Sequence, residues 1–167
     1  MTNLPTTVSE LGGLAEEGAV VLAGALATGA FGVARARIAA MFGRLGPGHG
    51  AGAETQLDAD QELVLDADPE EQDGVRQDMV PVWRRRLVRL LRDCPEAAPE
   101  LIDLLGALRE ALPRERQGWV QTIVARDGGT VYAAQGGNVI HHQGVRGREV
   151  PPADEGGDAE DGGRAGA

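Results

Sequence analysis

Apolar residues recur at helical spacing through the first two thirds of the chain, and the pattern changes character near residue 117. Val21, Leu22, Ala25, Leu26, Gly29, Val33 and Ile38 follow one another at roughly the helical period. Ahead of them, Thr7-Val8-Ser9-Glu10 reads as a capping box, in which a hydroxyl and a carboxylate satisfy amides that have no partner inside the helix. A helix is therefore expected from there to Arg44, either continuous or broken at a glycine. Gly46-Pro47-Gly48-His49-Gly50 stops it, and residues 46–53 are expected to form a flexible loop. In 54–78, Leu57, Val64 and Leu65 give a weak stripe that predicts one more helix.

Two stripes are clearer. Trp83, Leu87, Leu90, Leu91 and Cys94 fall on one helical face, and Arg84, Arg85, Arg86, Arg89 and Arg92 cover the rest. Pro81 is expected in the first turn of this helix or at a kink. Leu101, Leu104, Leu105, Leu108 and Leu112 form the next stripe, with Pro99 suited to its start and Pro113 to its end. The expected fold class is mostly α: disordered residues 1–6, a helical bundle over 7–112, a short three-stranded β repeat over 117–146, and a disordered acidic tail over 147–167.

The β expectation rests on Trp119 to Gln143, which is rich in Val, Ile, Thr and Tyr and interrupted by glycines. Three eight-residue blocks align without gaps: Ile123–Thr130, Val131–Asn138 and Val139–Arg146. Each opens with two β-formers and carries a polar residue followed by glycine at its fifth and sixth positions. Glycine supplies the positive φ of tight β turns, and β-branched pairs favour extended chain. Three strands of about five residues do not hold a sheet alone in water. Their apolar face must meet either the bundle, as a docked meander, or another copy of the chain. Gln135, Asn138 and Gln143 suit amide ladders between stacked copies, and Asp127 is the sole charge in 127–145 apart from histidine. His141 would then face His141 of the next copy, so assembly is expected to weaken below about pH 6.

Composition narrows the function. Aromatic residues make up 3% of the chain and glycines number 25, so the core must rest on Leu, Val, Ile and Ala, which suits closely approaching helices. The formal charge of -10 argues against nucleic acid as a partner. All side-chain cations other than histidine are Arg, which removes the Lys that a Walker-type phosphate loop or a Schiff base requires. Gly46–Gly52 therefore resembles such a loop only in glycine content. One cysteine, Cys94, excludes an internal disulfide and fits a cytoplasmic setting.

No nucleophile, base and orienting group can be named together, so no enzyme activity and no cofactor are expected. His141 and His142 point to opposite faces of a strand, and residues 54–78 lack the order of a calcium loop; no metal site is expected. Residues 54–78 carry ten acids against one Arg, and the simplest partner for the arginines of 84–92 is this neighbouring acidic stretch. Contact of Arg84, Arg85, Arg86 and Arg89 with anionic lipid is the functional alternative.

The stretch Gln121-Thr122-Ile123-Val124-Ala125 through Gln135-Gly136-Gly137-Asn138-Val139-Ile140-His141-His142 resembles the C-terminal amyloid signalling motifs of bacteria, especially actinomycetes. Those motifs are similar to fungal prion-forming and animal RHIM sequences, although Ile140 stands where the RHIM asparagine would fall. The resemblance implies an assembly motif made of Gln121, Ile123, Val124, Val131, Tyr132, Gln135, Gly136, Gly137, Asn138, Val139 and Ile140. The first 110 residues look like the Bell-type helical domains that carry such motifs. In that family a Gly- and Ala-rich first helix is thought to attack membranes once the motif assembles, in cell death or defence. Residues 18–34 are uncharged and contain six Ala and four Gly, and Val21, Leu22, Leu26, Phe31 and Val33 would be the membrane-active positions. The implied partners are the chain itself, a protein with a similar motif and, after activation, membrane lipid. The alternative is a soluble adaptor whose bundle and docked meander bind one protein partner.

Overall fold

A computed structural model describes Pro5 and residues 7–126, and these form six helices. They are α1 (Val8–Ala25), α2 (Phe31–Gly43), α3 (His49–Asp66), α4 (Gln72–Asp93), α5 (Ala97–Ala111) and α6 (Arg114–Arg126). The capping box forms as the sequence predicts: the Glu10 amide donates to Thr7 Oγ1 at 3.2 Å, and the Thr7 amide donates to Glu10 Oε2 at 2.9 Å. From Leu14 onward α1 is buried on nearly every side, with Ala15, Ala19, Val20, Val21, Ala23 and Ala25 at zero exposure. A helix that is apolar all round belongs at the centre of a bundle. Accordingly α1 packs most extensively on α4, and also on α6, α5 and α2.

Small residues set the distances. A Cβ on Gly18 would lie 2.9 Å from Leu87 Cδ1 of α4, and one on Gly24 would lie 2.8 Å from Val120 Cγ2 of α6. The second close pair is α2 with α3. There a Cβ on Gly50 would stand 2.8 Å from the Ala39 carbonyl oxygen and 3.4 Å from the Gly43 Cα. The link between these two helices turns through positive φ at Gly46 (128°) and Gly48 (83°), which glycine adopts without steric cost.

Five expectations change. The first helix is two helices, separated at residues 26–30. The positive φ of the break falls on Ala27 (57°), while Thr28 stabilises the turn by donating its hydroxyl to the Ala25 carbonyl and accepting the Ala30 amide. The glycine loop is shorter than 46–53, because α3 begins at His49 and needs Gly50 for its approach to α2. Leu65 is 59% exposed and leaves the predicted stripe, whose buried members are Ala53, Leu57, Asp60 and Val64. Pro81 lies in the interior of α4, which starts at Gln72, so of its two expected placements the first turn is excluded.

The largest change concerns residues 117–126, expected as the start of the β repeat. They are helical, as the C-terminal part of α6, and Val120, Ile123 and Val124 are buried. Their i, i+3, i+4 spacing puts all three on one helical face, and that packing outweighs the β preference of the individual residues. The remainder of the repeat and the acidic tail lie outside the described residues.

The stripes of α4 and α5 are as predicted. Trp83, Leu87, Leu90 and Leu91 are fully buried, and Leu101, Leu104, Leu105, Leu108 and Leu112 are at most 3% exposed.

Candidate functional site

The positions assigned to a membrane-active helix do not form one continuous surface. Val21, Leu22 and Leu26 are core residues of α1 and its cap, Phe31 opens α2 and is buried, and Val33 is 52% exposed on α2. The break at 26–30 divides the uncharged run of residues 18–34 between two helices. Among the described residues no helix is long and apolar enough to cross a membrane.

The arginine row of α4 is outward-facing: Arg84, Arg85, Arg89 and Arg92 are exposed and Arg86 is half-buried. Only Arg86 turns to the 54–78 stretch that the sequence suggests, and there it meets a glutamine; the others have partners elsewhere. Arg84 Nε pairs with Glu16 Oε2 of α1 at 2.8 Å, and Arg85 Nε donates to the Pro81 carbonyl. Arg86 NH2 donates to Gln56 Oε1 at 3.3 Å, and its guanidinium lies 5.3 Å from the centre of the Trp83 ring. Arg89 and Arg92 share Asp93, at 3.6 and 2.9 Å. The hydrogen bond from Arg92 holds the Asp93 carboxyl below its ordinary range. The acids of 54–78 instead engage Arg35, which bonds Glu54 and Asp58, and Arg116, which bonds Asp73.

Of the assembly-motif positions, Gln121, Ile123 and Val124 lie in α6, Gln121 exposed and the other two seated in the core. Val131, Tyr132, Gln135, Gly136, Gly137, Asn138, Val139 and Ile140 lie outside the described residues.

Three buried polar groups escape the sequence reading. Asp60, 4% exposed, accepts from Trp83 Nε1 and from Gln56 Nε2, each at 2.7 Å. Glu17, 3% exposed, is paired with Arg109 of α5. Arg76, 2% exposed, donates to the Leu26 carbonyl at the end of α1 and to Asp73, while its Nε has no partner among the described residues. Burial, reinforced by Arg116 nearby, pushes its affinity for a proton down. A signal existed for two of them. Glu17 sits between Leu14 and Val21, and Asp60 between Leu57 and Val64, each at a stripe position where a solvated acid does not belong. Among the described residues no cluster of three or more His, Cys, Asp or Glu is placed to hold a metal ion.

No family model, curated protein or solved structure matches this chain.

Proposed function

We propose that the chain is a non-enzymatic, self-assembling signalling protein: its C-terminal repeat pairs with other copies or with a similar motif, and its helical bundle is the membrane-directed effector. The observation that carries this reading is the pair of consecutive eight-residue blocks that follows α6. Val131–Asn138 and Val139–Arg146 each open on β-formers, place glycine at the sixth position and contain no acid. Because Ile123 and Val124 are seated in the bundle, the pairing is assigned to the part of the repeat that follows α6, residues 127–146. The Gly- and Ala-rich composition of α1 supports the effector role by resemblance.

Static light scattering and thioflavin fluorescence on the full chain test the assembly step. The chain is expected to form thioflavin-positive fibres over days. Val131→Pro and Val139→Pro should abolish them without altering helical circular dichroism, since proline removes a ladder donor. A chain that stays monomeric near its solubility limit overturns the proposal. Dye release from vesicles, coincident with fibre formation, tests the effector step.

A second reading has its own support. The break at Leu26–Ala30 and the burial of α1 on nearly all sides favour a bundle that stays intact and acts as an adaptor. That reading expects a monomer that leaves vesicles sealed.

A further inference from the structure

An open cavity of about 470 Å³ lies where α2, the start of α3 and the middle of α4 meet. Phe42, Leu45 and Ala53 give it apolar walls, whereas His49, Arg86 and Arg89 bring to it an imidazole and two guanidiniums. Among the described residues no carboxylate lines it. Its size is that of a small-molecule site, and apolar walls with a few convergent polar groups are how such sites are built.

Among the described residues Arg86 has no carboxylate partner, and Arg89 has one, Asp93, that it shares with Arg92. Arg86 is held by neutral groups, the Gln56 amide oxygen and the face of Trp83. Gln56 is itself fixed by donating to Asp60, and the same carboxylate accepts the Trp83 indole N–H. The only acid in this network therefore lies behind the glutamine and the tryptophan. Phe42 meets Trp83 edge to face at 6.2 Å, so the apolar wall and the cationic rim rest on one buried ring. Arg89 reaches Asp93 at 3.6 Å, but Arg92 takes that carboxylate at 2.9 Å. An oxyanion between Arg86 and Arg89 would meet one guanidinium already held, that of Arg86, and a second, exposed one whose carboxylate is shared with Arg92.

We propose that this cavity binds a small amphiphilic anion, with a compact apolar body against Phe42 and Leu45 and an oxyanion head between Arg86 and Arg89. The site does not depend on assembly of the repeat.

Phenyl phosphate is a suitable probe, with inorganic phosphate and phenol as its two halves. Trp83 reports occupancy through its contact with Arg86 and Phe42. Trp119 sits beside Gly24, on the α1–α6 contact, and is replaced by Phe to leave a single tryptophan, excited selectively over tyrosine. Full-length Trp119→Phe protein is expected to show saturable quenching by phenyl phosphate, with affinity on the order of tenfold above either half, since body and head are recognised together. Arg89→Gln should weaken binding by about tenfold with an unchanged thermal midpoint, because the Arg89 side chain is 63% exposed. Arg86→Gln should weaken it further. Anionic vesicles that displace the probe would trace the head to a lipid, and vesicles that leave it bound would trace it to a soluble molecule; both results retain the site. Absence of saturable quenching, equal affinity for phosphate alone, or an unchanged affinity in Arg89→Gln would overturn the proposal.

Discussion

Where α1 meets α4, the atom facing Gly18 is the end of a leucine; where α2 meets α3, the atom facing Gly50 is a backbone carbonyl oxygen. A leucine methyl turns away at the cost of a rotamer, whereas a carbonyl moves only if its helix moves. The first contact is thus a packed side-chain interface at the centre of the bundle. The second is an approach of two backbones near the surface, flanked by the exposed pairs of Arg35 with Glu54 and Asp58. The α1–α4 pair should hold most of the stability, and the α2–α3 hairpin should be more sensitive to shape than to lost area.

Deleting area is the largest test. Leu87→Ala removes a side chain at zero exposure that touches the space over Gly18, and unfolding in denaturant should show a loss of about 2–5 kcal/mol. A loss below about 1 kcal/mol would mean that the site collapses and that the interface is not the dry core described.

Adding a methyl group separates the two regions. Alanine in place of a helical glycine gains about 1 kcal/mol of propensity. At Gly106 of α5 nothing lies within 4 Å of the new Cβ, so Gly106→Ala should show that gain in full. At Gly18 the leucine yields and the net change should lie near zero. At Gly50 the carbonyl does not yield, and overpacking of about 1–3 kcal/mol should leave Gly50→Ala less stable than wild type. A stabilised Gly50→Ala would sink the distinction between side-chain and backbone contact.

The joint between the regions carries a smaller strain. Ala27 holds φ 57°, where an L side chain costs about 1–2 kcal/mol. Glycine removes that cost but adds about 0.5–1 kcal/mol of chain entropy. Ala27→Gly should therefore raise the denaturation midpoint slightly, and a lowered midpoint would show that the break is set by other contacts, such as the bond from Arg76 to the Leu26 carbonyl.

The same contrast explains what was legible. The α4 and α5 stripes and the Thr7–Glu10 box are local patterns whose partner needs only to be apolar or adjacent in sequence. A break after α1 is one of the two forms the sequence allows, but its place is not assignable, because alanine rarely takes a positive φ and three glycines lie near it. His49–Ala53 read as loop because glycine lowers helix propensity, while its value here is an approach to Ala39 that composition does not reveal. The C-terminal part of α6 read as strand because Val120, Ile123 and Val124 are β-branched and their helical partner, α1, lies far away in sequence. Of the candidate site, the arginine row was legible as a row. Its relation to Gln56, Trp83 and the cavity depends on how α2, α3 and α4 meet, which periodicity does not encode.

The smallest effect belongs to the surface pair on the hairpin. Arg35 binds Asp58 through two hydrogen bonds, at 2.6 and 2.9 Å, and Glu54 through a third at 3.0 Å. The bond to Arg35 holds the Asp58 carboxyl below its ordinary value of 3.8, and the bond to Asp58 raises Arg35. A carboxyl with a lowered native value binds protons less readily when folded than when unfolded. Its contribution is therefore present above the unfolded value and is lost as pH falls through the lowered native one. Both side chains are more than a third exposed, so the contribution is small and screened by salt. Arg35→Gln should lower the thermal midpoint slightly at neutral pH. The difference from wild type should shrink below about pH 4 and disappear in roughly molar salt. A deficit that persists in acid and in salt would mean that Arg35 acts by packing its stem against α3, and the hairpin would then share the apolar logic of the α1–α4 pair.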